Sequence, residues 1–173
     1  MKDLATVYNP SKGTKYAQFP ERCINGTAPT LVDLRNAYGN TAHVQWLIAQ
    51  FATYQEGINT PNKMTTEQLM MLSQAVATEF YYLKTSEVML FLARLAGGVY
   101  NIDFHGYVSP DVIMSALRNQ FIPYRNKVIE WKIQEERERR EKESMANAMT
   151  REEYEEIKML TAMYDMIIPG REE

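Results

Sequence analysis

Thiol chemistry is almost absent from this chain: Cys23 is its one cysteine. A lone cysteine excludes an intrachain disulfide framework and any multi-cysteine zinc or iron–sulfur site. Histidine is nearly as scarce, with His43 and His105 alone. Neither stands at metal-ligand spacing from the other or from Cys23, and no acid at i+4 from His43 supplies a metalloprotease pattern. No metal and no cofactor are therefore expected. The chain also lacks a phosphate-cradling glycine loop, since Gly97-Gly98 follows a helical pattern instead of opening one. It has no Gly-x-Ser-x-Gly elbow. Eight glycines and seven prolines exclude a collagen-like or low-complexity chain. No apolar run reaches the roughly 18 residues of a membrane span. The start, Met1 to Ala5, lacks the apolar core of a signal peptide, so a cytoplasmic, reducing compartment is the expectation.

What is present is ordinary in amount and uneven in arrangement. The 173 residues are 45% hydrophobic and 24% charged, enough for one domain with a sizeable core. The net charge of −3 is segregated. Residues 1–29 carry a net +2, residues 30–134 balance, and residues 135–173 carry a net −5. This divides the chain into an irregular N-terminal tail (1–29), a helical core (30–134) and a charged helical arm (135–173) that ends in an amphipathic helix.

Helical periodicity runs through the core. Thr30 with Asp33 reads as a helix start. Thr41 opens a second helix, with Val44, Leu47, Ile48 and Phe51 on one stripe and Trp46 and Tyr54 beside it. Thr65 with Gln68 fits a capping box ahead of Leu69, Leu72, Val76 and Phe80. Thr85 is taken as the cap of the next helix, whose stripe is Val88, Phe91, Leu92 and Leu95. Val99 to Val108 is the one strand-like stretch, and a short two-stranded hairpin-like loop or an irregular loop would serve there. Ser109-Pro110-Asp111 then starts a helix that Pro123 must kink or break. The fold expected is all-α: a compact helical bundle with a long charged C-terminal helical arm.

The arm opens on Glu135–Arg139, Glu136–Arg140 and Glu138–Lys142, all i,i+4 pairs in the favourable order, which make it a solvated helix. Thr150 with Glu153 caps the last helix. Ile157, Leu160, Tyr164 and Ile167 form its stripe, with Met163 alongside. A helix so placed suits a partner's groove, and methionine adapts easily to such surfaces. These five residues are the expected protein-binding set. In the tail, Lys12, Lys15, Tyr16 and Arg22 mix bases with aromatics, the pattern that meets phosphates and stacks on bases of single-stranded nucleic acid. No catalytic residue is expected. Asp103 and His105 form the best local pair, beside Tyr100 and Tyr107, and read as a turn whose polar groups satisfy its own backbone. Cys23 has no base near it in sequence.

Met64-Thr65-Thr66-Glu67-Gln68, Tyr81-Tyr82-Leu83-Lys84, Glu87-Val88-Met89-Leu90-Phe91, Gly98-Val99-Tyr100 with Phe104-His105-Gly106, and Ile113-Met114-Ser115-Ala116-Leu117 carry a resemblance. This segment, about residues 64–121, resembles an uncharacterised family of small helical proteins from bacterial phages and mobile elements. The resemblance implies a mobile-element accessory protein and no particular activity. The expectation is a non-enzymatic adaptor in DNA replication, similar to a helicase loader, that binds a protein partner through the C-terminal helix. Two alternatives stay open: a self-assembling structural or virion assembly protein, which would form a homo-oligomer, and single-stranded nucleic-acid binding through the tail. No membrane partner is expected.

Overall fold

A computed structural model describes residues 7–9, 15–16 and 18–167, and for residues 146 and 165–167 the backbone alone. In chain order the helices are α1 (Pro20–Asn25), α2 (Leu31–Tyr38), α3 (Ala42–Glu56), α4 (Thr66–Glu79), α5 (Thr85–Ala96), α6 (Pro110–Ala116), a π-helical turn (Leu117–Phe121), α7 (Ile122–Asn147) and α8 (Arg151–Ile167). Among the described residues there is no strand, only two isolated bridges, Thr30 with Lys84 and Asn62 with Tyr107. The fold is all-α, as the periodicity predicts. By its contacts the chain divides into residues 1–130 and 131–173. The sequence places the start of the arm at 135, where apolar residues stop. The division falls earlier, and Trp131 and Ile133, the last apolar residues of that stretch, are 70% and 55% exposed.

In the first unit the helix starts follow local side-chain chemistry. At α2 the Asp33 backbone N–H donates to Thr30 Oγ1 (3.1 Å) and the Thr30 N–H donates to the Asp33 carboxylate (2.8 Å). Those bonds to Thr30 hold the Asp33 carboxyl below its ordinary pKa. The same reciprocal box forms between Thr65 and Gln68 at α4. Two further orphan donors of α2 find carbonyls elsewhere: Leu31 N–H donates to Leu83 O (2.9 Å) and Val32 N–H to Tyr81 O (3.1 Å). The segment that breaks the period between α4 and α5 thus serves as the receptor for the start of α2.

Helix α5 is the centre of the unit. Every residue from Thr85 to Leu92 is buried, as expected of a helix walled on all sides. Its cap is Lys84 and not Thr85. Lysine offers no capping oxygen, so the box is closed from within the helix: the Glu87 carboxylate accepts from Lys84 N–H at 2.8 Å. Thr85 sits in the first turn, fully buried. On α3 the buried face is Ala42, Trp46, Leu47, Gln50, Phe51, Tyr54 and Gln55. Val44 and Ile48, expected in the stripe, are only half-buried. Two glutamines take the inner face because each has a backbone partner there. Gln50 Nε2 donates to Tyr8 O (3.0 Å), and Gln55 Oε1 accepts from Met64 N–H (2.9 Å).

The structure narrows three expectations. Residues 1–29 are not irregular throughout, because α1 forms and buries Cys23 and Ile24. Its carbonyl end is held from a distance: Lys84 Nζ donates to Ile24 O (2.6 Å) and Gly26 O (2.8 Å), and Ser86 Oγ to Cys23 O (2.7 Å). Of the two forms expected for Val99 to Val108, the irregular loop is present and the hairpin is not. Asn101 and His105 take left-handed φ (51° and 45°), as do Gly98 and Gly106, so no ladder can run through them. The loop is anchored instead to Asn62, whose Nδ2 donates to Gly106 O and whose carbonyl accepts from Val108 N–H. Finally, of the kink or break expected at Pro123, the break does not occur. The turn before it widens to π geometry, with Ile122 N–H bonded to Leu117 O. That widening lies where the proline ring would meet the carbonyl four residues back.

Candidate functional site

The residue types that carry chemistry are dispersed. Asp103 and His105 do meet: His105 N–H donates to Asp103 Oδ1 (2.8 Å), and Nδ1 lies 3.3 Å from Oδ2. Both side chains are more than three-quarters exposed, and the contact is a turn closing on itself. Tyr100 is not part of it; its ring is buried and stacked on Phe91 at 5.7 Å, with Arg94 Nε donating to its hydroxyl. Tyr107 points to solvent. Among the described residues no group of three or more His, Cys, Asp or Glu could hold a metal ion.

Cys23 is buried, and desolvation pushes its thiol up to about 11, with Glu87 adding to the rise. Its Sγ–H donates to Tyr16 O (3.3 Å). At pH 8 only about one thiol in a thousand would be ionised, far from a nucleophile. The expected result is negligible labelling of the native protein by iodoacetamide at pH 8 over an hour, and rapid labelling in denaturant. Rapid labelling of the native protein would restore Cys23 as a candidate.

Of the tail set, Lys15, Tyr16 and Arg22 are described. Lys12 lies outside the described residues. Lys15 and Arg22 are exposed. Tyr16 is half-buried: it packs against the core, its hydroxyl donates to Val7 O, and its ring lies 6.3 Å from Tyr8. Burial raises its pKa. Arg22 stacks over Phe19 at 4.9 Å, which engages both the cation and the ring.

The second unit presents a different kind of surface. Helix α8 starts on a full capping box: Thr150 N–H donates to Glu153 Oε2 (2.8 Å), and Glu153 N–H to Thr150 Oγ1 (3.2 Å). From Arg151 to Tyr164 every residue is exposed. Ile157, Leu160, Met163 and Tyr164 are therefore all uncovered, at the helical spacing expected of one face. The side chain of Ile167 lies outside the described residues. Charge falls mainly in the first half of the helix, where Glu152, Glu153, Glu155 and Glu156 outnumber Arg151 and Lys158. The helix thus combines an exposed apolar face with an acidic first half.

Residues 63–164 match the model of a Family of unknown function (DUF6633), more than half of the chain. The chain belongs to that family. No curated protein matches it, and no solved structure does. The DUF6633 segment begins just before the capping box of α4 and runs through α5, the π turn, α7 and most of α8. It omits α1, α2 and α3. The exposed stripe of α8 thus lies within the DUF6633 segment, and the basic-aromatic tail lies outside it.

Sequence reasoning missed one feature of that segment. Glu87 and Arg125, 38 positions apart, form a buried ion pair with Nε to Oε1 at 2.6 Å. Burial holds the Glu87 carboxyl above its ordinary pKa, opposed by the Lys84 N–H and by Arg125. Arg125 also lies over the Tyr82 ring at 5.2 Å, and Arg94 over Tyr124 at 4.0 Å. The pair fastens the first turn of α7 to α5. The pair reads as architecture.

Proposed function

We propose that this protein is a non-enzymatic adaptor that docks on a partner protein through the apolar face of α8. The observation that carries the reading is the exposure, by about half or more, of Ile157, Leu160, Met163 and Tyr164 on one capped helix. Large apolar side chains gathered on one face are costly to leave in water, and a groove that covers them recovers that free energy. The acidic head calls for a groove with basic residues at its rim. It also argues against an anionic membrane surface, which attracts basic helices. The setting in a phage or mobile element, with a partner in DNA replication, rests on the resemblance of residues 64–121 alone.

The test keeps the chain whole. Capture from nuclease-treated host lysate is compared between the native chain and Leu160→Asp/Met163→Asp, read by mass spectrometry. Both positions are exposed, so folding should be unchanged. A buried charge at the centre of an apolar contact is expected to weaken binding by at least about 100-fold. A partner retained by the double variant would rule out α8 as the docking helix. Recovery of the chain alone, with concentration-dependent oligomers in sedimentation, would favour self-assembly.

A further inference from the structure

The strongest unassigned feature of the first unit is an open pocket of about 420 Å³ where the end of α2, the start of α3 and the second half of α4 meet. Its polar walls are Arg35, Asn40, His43, Gln74 and Thr78. Each of these side chains can donate a hydrogen bond, and no carboxylate stands among them. Arg35 is exposed and has no ion-pair partner among the described residues. His43 Nδ1 is shut off from solvent with no hydrogen-bond partner, which leaves Nε2 as the nitrogen free to meet an acceptor. The one charged group on these walls is the Arg35 guanidinium. Desolvation, and then Arg35, hold the imidazole below its ordinary pKa. The first turn of α3 contains no acid to offset this positive character.

Donors from three helices, one free guanidinium and no competing carboxylate form a receptor for an anion. A guanidinium meets a tetrahedral oxyanion through two parallel hydrogen bonds, while a neutral imidazole and two amides add directional donors. The pocket is open to solvent and, at about 420 Å³, leaves room beside a phosphate for a small organic group. We propose that this pocket binds a small phosphomonoester, its phosphate held by Arg35 and His43 and its remaining polar groups by Asn40, Gln74 and Thr78. This site is independent of α8: Arg35, Asn40 and His43 precede the family segment, whereas Gln74 and Thr78 belong to it.

The experiment is a titration of the full chain, labelled with ¹⁵N, with ribose 5-phosphate and separately with inorganic phosphate, sodium chloride holding ionic strength constant. The side-chain amide signals of Asn40 and Gln74 are followed. Saturable shifts with the sugar phosphate are expected, with affinity several-fold above that for inorganic phosphate. Arg35→Gln should weaken binding by about tenfold or more, the usual consequence of losing a charged donor. Arg118→Gln, whose guanidinium is already tied to Glu79, should leave it unchanged. Absence of saturable shifts with either ligand, or equal affinity in Arg35→Gln, would overturn the site. Equal affinity for both phosphates would overturn the monoester assignment.

Discussion

Replacing Arg125 with alanine is expected to cost the fold about 3–5 kcal/mol in chemical denaturation at pH 7, the usual penalty for removing one partner of a buried ion pair. Glu87 is wholly buried, and the Arg125 side chain is 15% exposed. With the guanidinium gone, the carboxylate keeps the Lys84 N–H but loses the counter-charge in direct contact with it. The loss should depend on pH in a definite direction. Burial already raises the Glu87 pKa, and deleting Arg125 removes two of the influences that lower it. A carboxyl whose folded pKa exceeds its unfolded one binds its proton more tightly in the folded state, so stability falls as pH rises through that window. The deficit of Arg125→Ala should therefore be full above the variant's raised folded pKa, shrink as pH falls through the raised folded values, and be smallest by about 4.3, the ordinary glutamate value. Adding Glu87→Gln should recover much of the loss at pH 7, since the amide still accepts from Lys84 without a charge. A deficit independent of pH and of Glu87→Gln would mean that Arg125 acts through packing on Tyr82 and not through its charge.

That pair also marks how far the sequence could be read. The legible parts are those whose cause is local. Thr30 with Asp33, Thr65 with Gln68 and Thr150 with Glu153 bond across three positions, so their pattern states their structure. The exposed stripe of α8 is legible for the same reason. What escaped depends on partners far along the chain. Helix α1 is held by Lys84 and Ser86, some 60 positions away. Gln50 and Gln55 look like solvent-facing residues until Tyr8 and Met64 arrive to bond them. Lys84 is a helix cap only because Glu87 reaches back to it, and Glu87 can be buried there only because Arg125 returns to it. The Arg35–His43 pocket is likewise assembled from three helices, and no spacing in one segment announces it.

Phe121→Ala should be comparably severe, at about 3–5 kcal/mol, because it empties a large site in a well-packed core. Phe121 is fully buried, with its ring edge-on to Phe91 at 5.5 Å and 6.4 Å from Tyr124. It is also the last residue of the π turn, which determines where the loss is felt. The wide turn positions Phe121 toward Phe91 and passes the chain on to Pro123 without collision. Tyr124 and Arg125 follow within one turn and make the contacts to Arg94 and Glu87. A void at Phe121 should thus loosen the first turn of α7 together with α5. Hydrogen exchange gives a specific reading: the Ile122 amide, bonded to Leu117 O, should lose protection, whereas the Gln68 amide in the cap of α4 should keep its relative rank. A uniform loss at both amides would show that Phe121 supports only the general core. A selective loss at Ile122 would make the π turn the element that couples α5 to the base of α7.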